Sequence, residues 1–101
     1  MKIQYQAKIL ALSDIPELNA ANSATLRDEA RAALRDDQTS IDIDLCRTRF
    51  VDSSGLGMLI ALHKTSVGRG GCVRILNPTP SVQQILELTR LHRVFEIVKA
   101  N

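Results

Sequence analysis

The stretch RFVDSSGLGMLIALHK, residues 49–64, decides how the rest of the chain is read. Phe50 and Val51 end a strand-like segment, and beyond them Leu56, Leu59, Ile60 and His63 recur at helical spacing on one face. A strand therefore passes directly into a helix, and Asp52, Ser53, Ser54, Gly55 and Gly57 fill the junction. One cap residue is enough to start a helix, whereas each glycine in a helix interior costs about 0.8–1 kcal/mol relative to alanine. Ser54 is placed to act as the cap, its oxygen accepting an amide hydrogen bond from the first turn, and Ser53 is then free to face solvent. Gly55 and Gly57 strip side chains from that turn, so another surface can approach the backbone. The plain structural alternative is that Asp52 and the serines only cap the helix, and that the glycines only relieve crowding against a sheet.

Upstream, IDIDLCRTRFV (41–51) alternates Ile41, Ile43 and Leu45 against Asp42, Asp44 and Cys46, the pattern of a strand covered on at least one face. Before it, Asn22 or Ser23 can cap a helix whose apolar positions, Leu26, Ala30, Ala33 and Leu34, follow i, i+4, i+7, i+8. The first apolar stretch, KIQYQAKILAL (2–12), suits strand and is compatible with one strand or with a tight hairpin, since no Gly or Asn marks a turn. Downstream, GRGG (68–71) ends the helix with glycines able to take the left-handed conformation. CVRIL (72–76) reads as a third strand. Thr79 then caps a helix with Pro80 at its first position and Val82, Ile85, Leu86 and Thr89 as its inner stripe, and RVFEIV (93–98) closes as a short strand. Strands alternating with helices predict an α/β layer fold with mostly parallel neighbours.

The 101 residues, 45% apolar and 24% charged, suit one globular domain with its own core. No apolar run reaches the roughly 18 residues of a membrane span and the start lacks a signal peptide's apolar stretch, so a cytoplasmic protein without membrane insertion is expected. Cys46 and Cys72 lack metal-ligand spacing and are expected as unpaired thiols buried in or beside strands. A net charge of +2 and only three aromatics, Tyr5, Phe50 and Phe95, give no footprint for nucleic acid. Charge is nevertheless uneven: residues 1–57 carry seven Lys/Arg against nine Asp/Glu, and 58–101 six against two.

Enzyme chemistry fits the junction poorly. VDSSGLG is not G-x-S-x-G, because Val51 or Asp52 stands where the leading glycine belongs. His63 is two turns along the same helix and His92 lies near the end of the chain, so neither is expected to converge on a serine as a triad requires. The lysine of a phosphate-binding GxxxxGK[ST] loop is missing as well. Neither a catalytic residue, a metal nor a cofactor is expected.

FVDSSGLGMLIALHK (50–64), followed by GRGGCVRILNPTPSVQQILELTRLHRVFEI (68–97), closely resembles the STAS-domain anti-sigma-factor antagonists of bacterial partner-switching systems, and ELNAANSATLRDEARAAL (17–34) does so more loosely. The resemblance implies one STAS domain over residues 1–101, with a four- or five-stranded mixed, mostly parallel sheet and helices packed chiefly on one face. It implies phosphorylation of Ser53, the serine directly after Asp52, by an anti-sigma factor that is also a serine kinase. The unphosphorylated form would bind that kinase and free the sigma factor, with Asp52, Ser53, Ser54, Gly55, Leu56, Gly57 and Asn19 at the contact and a serine phosphatase as a further partner. Where the family usually carries Gly-Glu-Leu-Asp before its first helix this chain has Pro16, Glu17, Leu18 and Asn19, so an acid near the phosphorylated serine is replaced. The other roles of the same fold are an accessory subunit of a lipid- or other membrane-transport complex and a stress-complex scaffold.

Overall fold

KIQYQAKILAL folds back on itself at Ala7 and Lys8, so the hairpin is the alternative adopted. β1 (Lys2–Gln6) and β2 (Ile9–Ser13) run antiparallel with Gln6 opposite Ile9. Ala7 itself supplies the positive φ, +53°, that such a short loop demands. In the computed structural model, which describes residues 1–99, the chain continues through β3 (Glu17–Leu18), α1 (Ser23–Ala33), β4 (Ser40–Asp44), β5 (Phe50–Val51) and α2 (Ser53–Gly68). It closes with β6 (Val73–Leu76), α3 (Pro80–Leu88), a 3-10 turn at Leu91–Arg93 and β7 (Glu96–Val98).

Five strands form one sheet in the order β1-β2-β4-β6-β7, parallel everywhere except at the hairpin. Leu10 and Leu12, Ile41 and Ile43, Val73 and Ile75 point to one face and are fully buried there with Met58, Leu59 and Leu62 of α2 and Val82 and Leu86 of α3. The opposite face carries Gln4, Ala11, Asp42, Arg74 and Glu96 by the same two-residue alternation. This is the mixed, mostly parallel, one-sided architecture expected. On the polar face Asp42 and Arg74 stand opposite one another and form a two-pronged ion pair, Nε to Oδ1 at 2.8 Å and Nη2 to Oδ2 at 2.6 Å. The paired carboxylate holds the Arg74 guanidinium pKa above its ordinary value, first through these hydrogen bonds and then through charge.

Several local expectations shift. IDIDLCRTRFV is two strands: the Asp44 carboxylate accepts the Cys46 amide at 2.9 Å and turns the chain out of the main sheet. Thr48 is buried, its hydroxyl donating to the Ile15 carbonyl, and the Arg49 amide reaches Pro16 O at 2.9 Å, which steers β5 onto β3 in a second, two-stranded sheet. Cys46 is therefore exposed in a turn, and Cys72 half-buried; both are unpaired. The Asp44 carboxylate, hydrogen-bonded to the Cys46 thiol, pushes that thiol pKa up, so it stays protonated at neutral pH. The buried stripe of α2 is Gly55, Met58, Leu59, Leu62 and Ser66, rotated from the face expected; Leu56, Ile60 and His63 are half-buried beside it, with the His63 ring edge-on to Phe95 at 5.7 Å. Gly70, at φ +82°, ends that helix as expected. Thr79 holds the N-cap position of α3, but its hydroxyl donates to Thr48 O at 2.9 Å. Thr89, placed on the inner stripe of α3 by spacing, is exposed just past its end.

Candidate functional site

The short β3–β5 pair exists to hold two loops together. Glu17 lies opposite Phe50 and Leu18 opposite Val51, and the Asp52 amide extends the ladder to Leu18 O at 3.0 Å. Immediately past this point β3 runs into the loop that carries Asn19, and β5 into the first turn of α2.

Asp52 locks that arrangement with its side chain. One carboxylate oxygen accepts the Gly55 amide at 2.9 Å, which makes Asp52 the N-cap of α2, and the other accepts the Ala20 amide from the neighbouring loop at 3.1 Å. Ser54 is thus not the cap, contrary to the sequence reading: an N-cap side chain reaches the amide three residues on, and here that amide is Gly55, served from position 52. Ser53 and Ser54 are the first two residues of α2, both exposed, and among the described residues neither hydroxyl has a hydrogen-bond partner.

The two glycines divide between two jobs. A Cβ on Gly55 would stand 2.7 Å from both Leu18 Cβ and Leu18 O and 2.9 Å from Val51 Cγ1, so Gly55 is bare in order to seat α2 on β3 and β5. It is buried, which corrects the expectation that it opens the surface to a partner. Around Gly57 a Cβ would meet nothing within 4 Å, and this glycine is the one that faces outward. It lines an open cleft of about 320 Å³ between the starts of α1 and α2, with Ala20, Ser23, Ala24 and Arg27 on one wall and Ser54, Gly57 and Met58 on the other.

Asn19 is tied into the loop beside Asp52: its side-chain oxygen accepts the Ala21 amide at 2.9 Å and its amide nitrogen donates to Glu17 at 3.2 Å. The structure therefore brings Asn19, Asp52, Ser53, Ser54 and Gly57 to one end of the molecule, with Leu56 half-buried at its edge. Two residues there escaped the sequence reading. Phe50, read only as the end of a strand-like segment, is 52% exposed. Arg27 sits one turn into α1, where a cation has no distinguishing pattern; only its i+4 spacing from Ser23 put it on this side. Neither histidine approaches the serines: His63 is ten residues along α2 from Ser53, about 15 Å of helix rise, and the His92 ring lies against the Leu86 carbonyl. Among the described residues no group of three or more His, Cys, Asp or Glu side chains is placed to hold a metal ion, and no helix is long and apolar enough to cross a membrane.

The family model described as "Mlab, STAS domain" matches residues 3–99. The chain belongs to the STAS domain family. It is 33% identical over 55 residues to a STAS-domain containing protein of Pseudomonas aeruginosa, a match that spans 54% of this chain and 54% of that relative. It is 24% identical over 98 residues to the anti-sigma F factor antagonist of Paenibacillus polymyxa, covering 96% of this chain and 84% of that one. The fold is that of the anti-sigma factor antagonist SpoIIAA in its unphosphorylated form, with a TM-score of 0.85 at 20% identity over 99% of this chain and 87% of that one. The Bacillus protein in its phosphorylated form is similar as well, with a TM-score of 0.71 at 20% identity over 99% of this chain and 90% of that one.

In this STAS domain the split between the glycines has a direct test by thermal unfolding. Gly57→Ala is expected to stabilise by about 0.5–1 kcal/mol, since alanine is the better helix residue and nothing obstructs its methyl group. Gly55→Ala is expected to destabilise by about 1–2 kcal/mol, the overpacking against Leu18 exceeding the same helical gain. Equal shifts for both would mean that α2 is not seated on Leu18 as described.

Proposed function

We propose that this STAS domain is an anti-sigma-factor antagonist that works by partner switching in the cytoplasm. Unphosphorylated, it binds an anti-sigma factor that is also a serine kinase and so frees the sigma factor; phosphorylation of Ser53 ends the binding, and a serine phosphatase restores it. The observation that carries this reading is the position of Ser53, an exposed hydroxyl on the first residue of α2 beside an open cleft.

Phosphorylation adds about −1.5 to −2 charges and three acceptor oxygens. At a helix N-terminus, where backbone amides point outward, the fold tolerates that charge. A partner surface seated closely over Ser53, Ser54 and Gly57 does not, because it must then bury an unmatched dianion. The domain acts as a binding switch and supplies no chemistry of its own. Its contact surface is made by Asn19, Ser53, Ser54, Gly57 and the exposed part of Leu56, with Asp52 shaping it from behind.

Affinity capture from the source cell's lysate, with mass spectrometry of the captured protein and of the phosphosite, tests the reading. Ser53→Ala is expected to keep partner binding, abolish labelling by the captured kinase and leave stability within about 0.5 kcal/mol. Ser53→Asp is expected to weaken binding. Ser54→Ala, whose hydroxyl caps nothing, is expected to keep both stability and labelling. If no change at either serine alters labelling or binding, partner switching is wrong. A second reading, the accessory subunit of a transport complex, draws on Asn19, an uncharged side chain where the antagonists resembled carry an acid near the phosphorylated serine. Capture of a membrane-transport ATPase in place of a kinase would establish that reading.

A further inference from the structure

We infer that the cleft between α1 and α2 receives an acidic side chain, Glu or Asp, of the protein partner, with Arg27 as its counter-charge. This rests on the partner-switching reading and names the group on the partner that the switch controls. Of the seven residues lining the cleft, Arg27 alone is charged; Ala20, Ser23, Ala24, Ser54 and Gly57 are small, and Met58 forms an apolar wall. The chemistry on offer is thus one guanidinium and the Ser54 hydroxyl among small side chains, the Ser23 hydroxyl already donating to the Asn19 carbonyl, with no carboxylate among the lining residues to compete.

Arg27 is available for such a role. Its Nε donates to the Asp28 carboxylate at 3.1 Å, in a pair whose side chains are 36% and 68% exposed. An exposed neighbour pair of this kind is worth about 0–1 kcal/mol at most. Its two terminal nitrogens have no hydrogen-bond partner among the described residues, and their planar fork is the geometry that a carboxylate meets bidentately. At about 320 Å³ and open to solvent, the cleft has room for a side chain, and the charge of Arg27 makes an acidic one its complement.

The same placement explains how a phosphate on Ser53 would act. Ser54, the next residue, lines the cleft opposite Arg27. A phosphoryl group one residue away brings to the cleft mouth a charge of the same sign as the docked carboxylate, so it repels that carboxylate and competes for the guanidinium.

The test uses the purified partner captured by the unphosphorylated wild-type chain. Its dissociation constant is measured for wild type, Arg27→Gln, Arg27→Lys, Ser53→Asp and the Arg27→Gln/Ser53→Asp double variant. Arg31→Gln, one turn further along α1 and outside the cleft, is the control. Arg27→Gln is expected to weaken binding by at least about tenfold, as truncating one side of a partly buried charge pair does. Arg27→Lys should fall in between, and Arg31→Gln should stay within about twofold of wild type. The double variant should lose less than the product of its single losses, because both changes act on the same ion pair. Melting curves show whether each variant is folded; should Arg27→Gln fail to fold, Arg27→Lys carries the comparison. Undiminished binding by a folded Arg27→Gln overturns the inference and leaves partner switching standing. Titration of the isolated chain with sodium glutamate and with inorganic phosphate, followed by the amide shifts of Ala24, Ser54 and Gly57, covers the other source of the same chemistry. Saturation by either below the millimolar range would make this a small-anion site and overturn the assignment to a protein side chain. If the wild-type chain captures no protein in either phosphorylation state, partner switching and this inference both fall.

Discussion

Replacing Arg74 with methionine is expected to lower the stability of the fold by about 3–5 kcal/mol, the usual cost of leaving a buried charge without its counter-ion. In a domain of this size that corresponds to a fall in Tm of more than roughly 12 °C. The reason lies in how unequally the pair is buried. The Asp42 side chain is 5% exposed at the centre of the sheet, whereas that of Arg74 is 33% exposed. Across the sheet Asp42 faces Ala11 on β2, which offers nothing polar, and Glu96 on the far side of Arg74 has the wrong sign. Removing the arginine strands the carboxylate; removing the carboxylate leaves a guanidinium that can swing into water. Asp42→Ala should accordingly cost only about 1–2 kcal/mol. The paired replacement Asp42→Leu with Arg74→Met should recover most of the loss, since apolar isosteres of a buried ion pair are often neutral or better. Urea unfolding of the three variants reads all of this. Equal losses for the two single variants would show that Asp42 reaches solvent when its partner leaves.

That pair also marks the limit of what sequence patterning can reveal. Alternation placed Asp42 correctly on the face opposite Ile41 and Ile43, and left open whether that second face is covered. Its partner is 32 residues away, on a strand whose register against β4 is fixed by where α2 ends and the chain returns, information that no local pattern holds. Cys46 shows a related failure. Period-two spacing carried the strand on through it, but Asp44 folds its side chain onto the Cys46 amide and ends β4 first. Signals set by the local backbone survived better. The alternation of strands and helices, the Pro80 start of α3 and the Gly70 stop of α2 were legible because each depends on constraints within a few residues. At the candidate site the junction of Asp52, Ser53, Ser54, Gly55 and Gly57 was legible as a position and misread in its parts. Asp and Ser are about equally good caps, so choosing between Asp52 and Ser54 needed the location of the Gly55 amide. Gly55 could not be told from Gly57 without Leu18 above one of them.

Asp52 provides the second large effect, and one that reaches function. Asp52→Ala should destabilise by about 2–3 kcal/mol, because it removes a helix cap worth about 0.5–2 kcal/mol and a second charge-assisted bond to the other loop. Asp52→Asn separates these two contributions. Asparagine is an equally good N-cap but has one acceptor oxygen, so it can hold the Gly55 amide or the Ala20 amide and not both. Since the helix end offers several donors at once, the cap should win and the tie to Ala20 should be lost, at a cost of about 1 kcal/mol. Amide hydrogen exchange reads the two bonds separately. In Asp52→Asn the Ala20 amide should exchange faster while the Gly55 amide keeps its protection; in Asp52→Ala both should lose it. The loop carrying Asn19 and Ala20 forms one rim of the cleft opposite Ser54, so freeing it loosens the surface on which the partner is proposed to sit. Asp52→Asn should therefore weaken partner binding although Ser53, Ser54 and Arg27 are all intact and α2 remains folded. Unchanged exchange at Ala20 would show that the β3–β5 ladder alone holds the two loops together, and Asp52 would then be a helix cap with no part in shaping the site.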